Sequence, residues 1–152
     1  MFKWVKKLSL AAAVIAFGIV TASFAFAQPA DLYSASYWAR AEIVKAEKLN
    51  LLTDSIQGDY QAHITREEFS ELIVRLYEEL SGNDAPFGNE NPFIDTKNPD
   101  VVSANKLGIV KGVGNGRFAP DNTATREEVA VMLFRTLKAV NPEYSINSQN
   151  QK

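Results

Sequence analysis

The chain has 152 residues, no cysteine, 22% charged side chains and a formal net charge of −2. That length suits one small domain. The missing cysteine excludes a disulfide framework, a thiol nucleophile and a thiolate metal site, and the acidic balance argues against nucleic acid as a partner.

Residues 1–27 read as a secretory signal. Lys3, Lys6 and Lys7 form a positive start, Leu8 to Val20 is an apolar stretch, and Ala25-Phe26-Ala27 offers small residues for cleavage. The exported chain is expected to begin at Gln28. An uncleaved anchor is the alternative, because apolar character runs on to Ala27 and nearly reaches the ~20 residues that span a bilayer. Removing 27 residues with their three lysines leaves 125 residues carrying 13 basic and 18 acidic side chains, a net charge of −5. No later segment is apolar enough to span a membrane, so the product is expected to be soluble or held at a surface, stabilised by packed helices.

The first predicted helix runs from about Tyr37 to Leu49, with Trp38, Ala39, Ile43, Ala46 and Leu49 as its inward face. Asn50 follows as a left-handed stop, and Thr53 to Ile64 is a loop. Thr65-Arg-Glu-Glu68 then opens a second helix whose apolar residues are Phe69, Leu72, Ile73, Leu76, Tyr77 and Leu80. Residues 81–92 are rich in Gly, Asn and Pro and read as a connector.

After the connector the pattern returns. Ala46-Glu-Lys-Leu-Asn-Leu-Leu52 aligns with Ala104-Asn-Lys-Leu-Gly-Ile-Val110 at an offset of 58 residues, and Gly108 takes the place of Asn50. The Thr-Arg-Glu-Glu string recurs at Thr125 to Glu128, at an offset of 60, ahead of Val129, Met132, Leu133, Leu137 and Val140. Thr136 alone breaks the correspondence, standing where Leu76 stands in the first copy. The chain is a duplicated unit, with repeat 1 over residues 32–80, repeat 2 over 93–140, and a polar tail over 141–152 that is expected to be disordered. In the loop of repeat 2, Gly112, Gly114, Gly116 and Pro120 mark turns, and Phe118 and Tyr60 are expected to anchor the two loops. The glycines lack the Lys-Ser/Thr ending of a phosphate-binding loop.

Thr65 and Thr125 are placed as helix N-caps, with Glu68 and Glu128 completing capping boxes. Arg66 and Arg126 are harder to account for, because a cation in the first turn opposes the helix dipole by ~0.3–1 kcal/mol. Each calls for an anion. It is either internal, such as Asp95 or a neighbouring Glu, or a ligand carboxylate. Catalysis is not expected: the paired glutamates are explained by capping, His63 has no counterpart in repeat 2, and no metal-ligand spacing occurs.

Phe93-Ile-Asp95, Ala104-x-x-Leu-Gly-Ile109, Gly116-Arg-Phe118-x-Pro120 and Thr125-Arg-Glu-Glu128 together resemble the S-layer homology (SLH) repeat of bacterial cell-surface proteins. Repeat 1 is the more degenerate copy, keeping Trp38-Ala39, Ile43, Ala46 and Ile64-Thr-Arg-Glu-Glu68 but lacking the Phe-x-Asp opening and the Phe-x-Pro of the loop. The resemblance implies a mostly α fold with little or no β structure, in which two helix-loop-helix repeats pack as an incomplete spindle. It also implies noncovalent attachment to the bacterial envelope through anionic, pyruvylated secondary cell-wall polysaccharide, with no cofactor. Arg66 and Arg126 carry over as groove residues, and Trp38, Gly114, Asn115 and Gly116 are weaker candidates for contact with ligand. Family members generally carry three repeats, so the chain is expected either to form a homo-oligomer or pair with another SLH protein, or to leave one groove incomplete. A secreted module that docks another surface protein is the alternative function.

Overall fold

The structure, a computed structural model, describes residues 32–88 and 90–144. The signal segment and the tail beyond Tyr144 lie outside the described residues. Among the described residues four helices follow in order: α1 (Arg40–Lys48), entered through a 3-10 turn at Tyr37–Ala39, then α2 (Arg66–Ser81), α3 (Pro99–Lys106) and α4 (Arg126–Val140). Among the described residues there are no strands, only isolated bridges at Thr65 with Thr123 and at Gly114 with Arg117. The mostly helical fold agrees with the sequence reading.

Local chemistry sets the helix ends. Thr65 and Thr125 each accept the backbone N–H three residues on, and the side chains of Glu68 and Glu128 return the bond to the cap. Asn98 caps α3 by accepting from the Asp100 N–H at 2.9 Å, with Pro99 in the first turn, where no backbone donor is required. The left-handed stops are at Asn50 and Gly108, with φ of 53° and 72°. Both stops bond alike: Asn50 N–H donates to Glu47 and Leu51 N–H to Ala46, while Gly108 N–H donates to Asn105 and Ile109 N–H to Ala104.

The core gathers around α2, which packs on both α3 and α4. Phe69, Ile73 and Val74 of α2 meet Val101 and Ala104 of α3, Met132 of α4, and Phe93, Ile109, Val110 and Phe118 from the loops. Burying each of the larger side chains contributes ~1.5–3 kcal/mol. Phe118 is fully buried, its ring 5.2 Å from that of Phe93, so it does anchor its loop. Thr136 is buried too, with its hydroxyl donating to the Met132 carbonyl at 2.9 Å.

Repeat 1 departs from expectation at its first helix. Trp38 and Leu49, assigned to an inward face, are 82% and 47% exposed, and α1 has no fully buried residue. The reason is the absence of a neighbour among the described residues. The counterpart helix α3 is buried by α2, whereas among these residues α1 meets no helix beyond the turn that leads into it.

Candidate functional site

Arg66 is buried, and its environment comes from repeat 2. Its Nε donates to the Phe118 carbonyl at 3.0 Å, its Nη2 to the Lys111 carbonyl at 3.2 Å, and its Nη1 to Glu128 Oε1. The guanidinium also lies 4.7 Å from the centre of the Phe118 ring. The backbone follows the side chain across, as the Arg66 and Glu67 N–H groups donate to the Asn122 and Pro120 carbonyls. These are free first-turn amides of α2, satisfied here by another loop rather than by anions.

The anion that answers Arg66 is therefore internal, and it is the capping glutamate of the other repeat rather than Asp95. Asp95 caps the repeat 2 loop, accepting from the N–H groups of Phe118 at 2.8 Å and Ala119 at 2.9 Å, and from Arg117. The Phe118 N–H is the main influence holding its carboxyl below the usual range. The carboxyl of Glu128 is also held low, first by the Thr125 N–H, then by the Thr125 hydroxyl and Arg66.

Beside Arg66 lies a cleft of about 610 Å³ whose other lining residues all come from repeat 2. Arg66 and Glu128 line its depth, Lys111 and Arg135 add cationic side chains, and Val131 and Met132 supply an apolar wall. Arg135 is steadied by a bond from Nη1 to the Ile109 carbonyl at 3.1 Å. Gly112 also borders the cleft, at a close approach where an added Cβ would sit 2.6 Å from the Arg117 carbonyl oxygen. Three of the five donors of Arg66 are used internally, which leaves two.

The other predicted residues lie elsewhere. Arg126 is exposed, and its side chain has no partner among the described residues. Trp38 is exposed on the far repeat. Gly114, Asn115 and Gly116 form a tight turn outside the cleft, with φ of 104°, 53° and 68°, closed by Val113 N–H donating to the Arg117 carbonyl at 2.8 Å. Sequence reasoning missed Lys111 and Arg135. A signal existed for the second, since Arg75 and Arg135 stand 60 residues apart in the duplicated register.

Comparison with known proteins adds an independent line of evidence. Residues 99–130 match the model of the S-layer homology domain family, a stretch running from α3 through the loop into the first turns of α4. The chain is similar to an amylopullulanase of Thermoanaerobacterium thermosulfurigenes, 32% identical over 115 residues, which covers 71% of this chain and 6% of that protein. It is also similar to an endoglucanase of Bacillus sp. (strain KSM-635), 33% identical over 93 residues, covering 59% of this chain and 9% of the relative. A third relative, exoglucanase XynX of Acetivibrio thermocellus, is 33% identical over 84 residues, covering 51% of this chain and 8% of its own length. The chain thus spans less than a tenth of the length of these relatives. No solved structure matches it.

Proposed function

We propose that this chain, residues 99–130 of which match the S-layer homology domain, holds to the bacterial cell wall by binding an anionic secondary polysaccharide in the cleft beside Arg66. The observation that carries this reading is the cleft itself, with Arg66 in its depth and Lys111 and Arg135 beside it. Its volume lies in the usual range for a small-ligand site, enough for a sugar unit bearing an acid group such as a pyruvate ketal.

The charge arrangement favours local capture over long-range attraction. Net negative charge on the protein repels an anionic polymer, but exposed charges more than ~8 Å apart are largely screened at physiological salt. Inside the cleft three cations face Glu127 and Glu128. One carboxylate entering beside Lys111 and Arg135 balances the set, and each charged hydrogen bond contributes ~1.5–3 kcal/mol. Val131, 37% exposed, offers an apolar surface to a sugar face. Arg126, exposed and unpaired among the described residues, is a second place for an acidic unit to be gripped.

The test is retention of the purified chain on protein-free sacculi, with and without the attached polymer. Binding to intact walls that is lost on chemical removal of the polymer is expected. Equal retention on stripped walls, or none on intact ones, rejects the proposal.

A further inference from the structure

The two repeats are unequal in what covers them, and the inequalities match position by position. On α2, Phe69, Ser70, Ile73 and Val74 are buried beneath repeat 2. Their register partners on α4 are Val129, Ala130, Leu133 and Phe134, none of them buried, with Leu133 38% exposed. On α3, Val101, Val102, Ser103 and Ala104 are buried against α2. Their partners on α1, Ile43, Val44, Lys45 and Ala46, are not. One chain therefore presents an α2-like face without its α3, and an α3-like helix without its α2.

The arginine and its receptacle repeat the pattern. Arg66 enters the cleft of repeat 2, which is lined by Val110, Asn122, Thr123, Glu128 and Met132 among others. Repeat 1 has a pocket of about 390 Å³ lined by the register partners of those residues, Leu52, Ala62, His63, Glu68 and Leu72. No arginine lines it. Arg126, the partner of Arg66, projects from the opposite repeat with no acceptor among the described residues. Charge agrees as well: Arg75 of α2 lies 3.8 Å from Asp100 of α3, and the corresponding residues are Arg135, which also donates to the Ile109 carbonyl, and Glu42, which also pairs with Lys45.

We propose that copies of this chain join head to tail, with α4 and Arg126 of one copy receiving α1 and the repeat 1 pocket of the next. The junction reproduces between chains the packing of α2 and Arg66 on repeat 2 within a chain. Such a contact is heterologous, so it propagates into a ring or an open string. Each junction builds around Arg126 a cleft like the one around Arg66, so assembly multiplies sites for one long ligand. The proposal rests on the repeat geometry and is tested without polysaccharide, so it stands or falls separately from wall binding.

Sedimentation velocity over a concentration series is the test, with circular dichroism confirming that each variant keeps its helices. Average mass should rise with concentration. Arg126→Glu disables the donor end, and Ala62→Trp fills the pocket at the acceptor end. Each should weaken association by about tenfold or more, the usual cost of breaking a desolvated charged contact. Mixed together, the two variants retain one intact junction and should form a dimer and nothing larger. Should either variant lose its fold, Leu133→Glu and Glu42→Arg test the same two ends. A chain monomeric at every concentration, its faces covered by its own segments or by a different partner, overturns the proposal. So does undiminished association of folded variants, or a mixture that remains monomeric.

Discussion

Arg66 and Arg126 hold the same position in the same four-residue motif, yet one is buried among three acceptors and the other stands in solvent. The motif itself builds only the helix start, and it does so equally well in both repeats. What becomes of the guanidinium depends on whether another repeat follows it in space. Repeat 2 supplies Arg66 with two loop carbonyls, an aromatic face and a capping carboxylate. The comparison teaches that the Arg is an inter-repeat device, and that its contribution is made at the junction rather than within the helix that carries it.

The contrast is sharpest in stability. Arg66→Ala should cost roughly 2–4 kcal/mol, somewhat below the usual cost of orphaning a buried ion-pair partner because Glu128 keeps 34% of its side chain exposed. Arg126→Ala should change stability by less than ~0.5 kcal/mol in the monomer. Urea unfolding followed by circular dichroism measures both, and equal losses would erase the distinction drawn here. For ligand binding the comparison runs through Lys111 and its counterpart Thr53. Lys111→Ala removes an exposed cation while leaving the carbonyl that serves Arg66, and should weaken retention on intact sacculi about tenfold or more. Thr53→Ala should leave retention unchanged, because Thr53 carries no charge to lose. Equal loss in the two variants would move the ligand out of the cleft beside Arg66.

The helix stops give a smaller contrast. Gly108 has open space around its missing Cβ, so Gly108→Ala is penalised only by the left-handed backbone and should cost ~1 kcal/mol. Asn50→Gly, at the equivalent stop, should gain a few tenths of a kcal/mol. Thermal unfolding reads both, and a large loss at Asn50 would mean that its side chain has a role beyond the turn.

These stops, like the capping boxes, were legible in the sequence because their chemistry lies within a few residues of chain. The anchoring of Phe118 was legible for the same kind of reason, as an aromatic following a glycine turn. Arg66 was half legible: a cation at a helix start needs an anion, but two of its three acceptors are backbone carbonyls, which no side-chain pattern announces. Its anion was already present inside the motif, as the Glu128 of the other copy, and the sequence left Asp95, a neighbouring Glu and a ligand carboxylate open. The exposure of α1 was not legible at all. Its apolar spacing resembles that of a buried helix, and its burial depends on a neighbour that local pattern cannot supply.

The last contrast sets Glu128 against Asp100 and concerns pH. The Thr125 N–H and hydroxyl, with Arg66, hold the folded pKa of Glu128 below its unfolded value of ~4.3. Its contribution to stability is therefore complete above that unfolded value and is lost as pH falls through the lowered folded pKa. Asp100 runs the other way: burial beside α2, only partly offset by Arg75, raises its folded pKa. The folded state then takes up a proton more readily than the unfolded chain, so falling pH adds stability from this group. The two tendencies oppose each other. Glu128→Gln should flatten the acid loss of stability measured by urea unfolding between about pH 6 and about pH 2, whereas Asp100→Asn should steepen it. If Glu128→Gln leaves the acid limb unchanged, neither the Thr125 cap nor Arg66 depends on the charge of Glu128, and the weight of the junction falls on the Phe118 and Lys111 carbonyls.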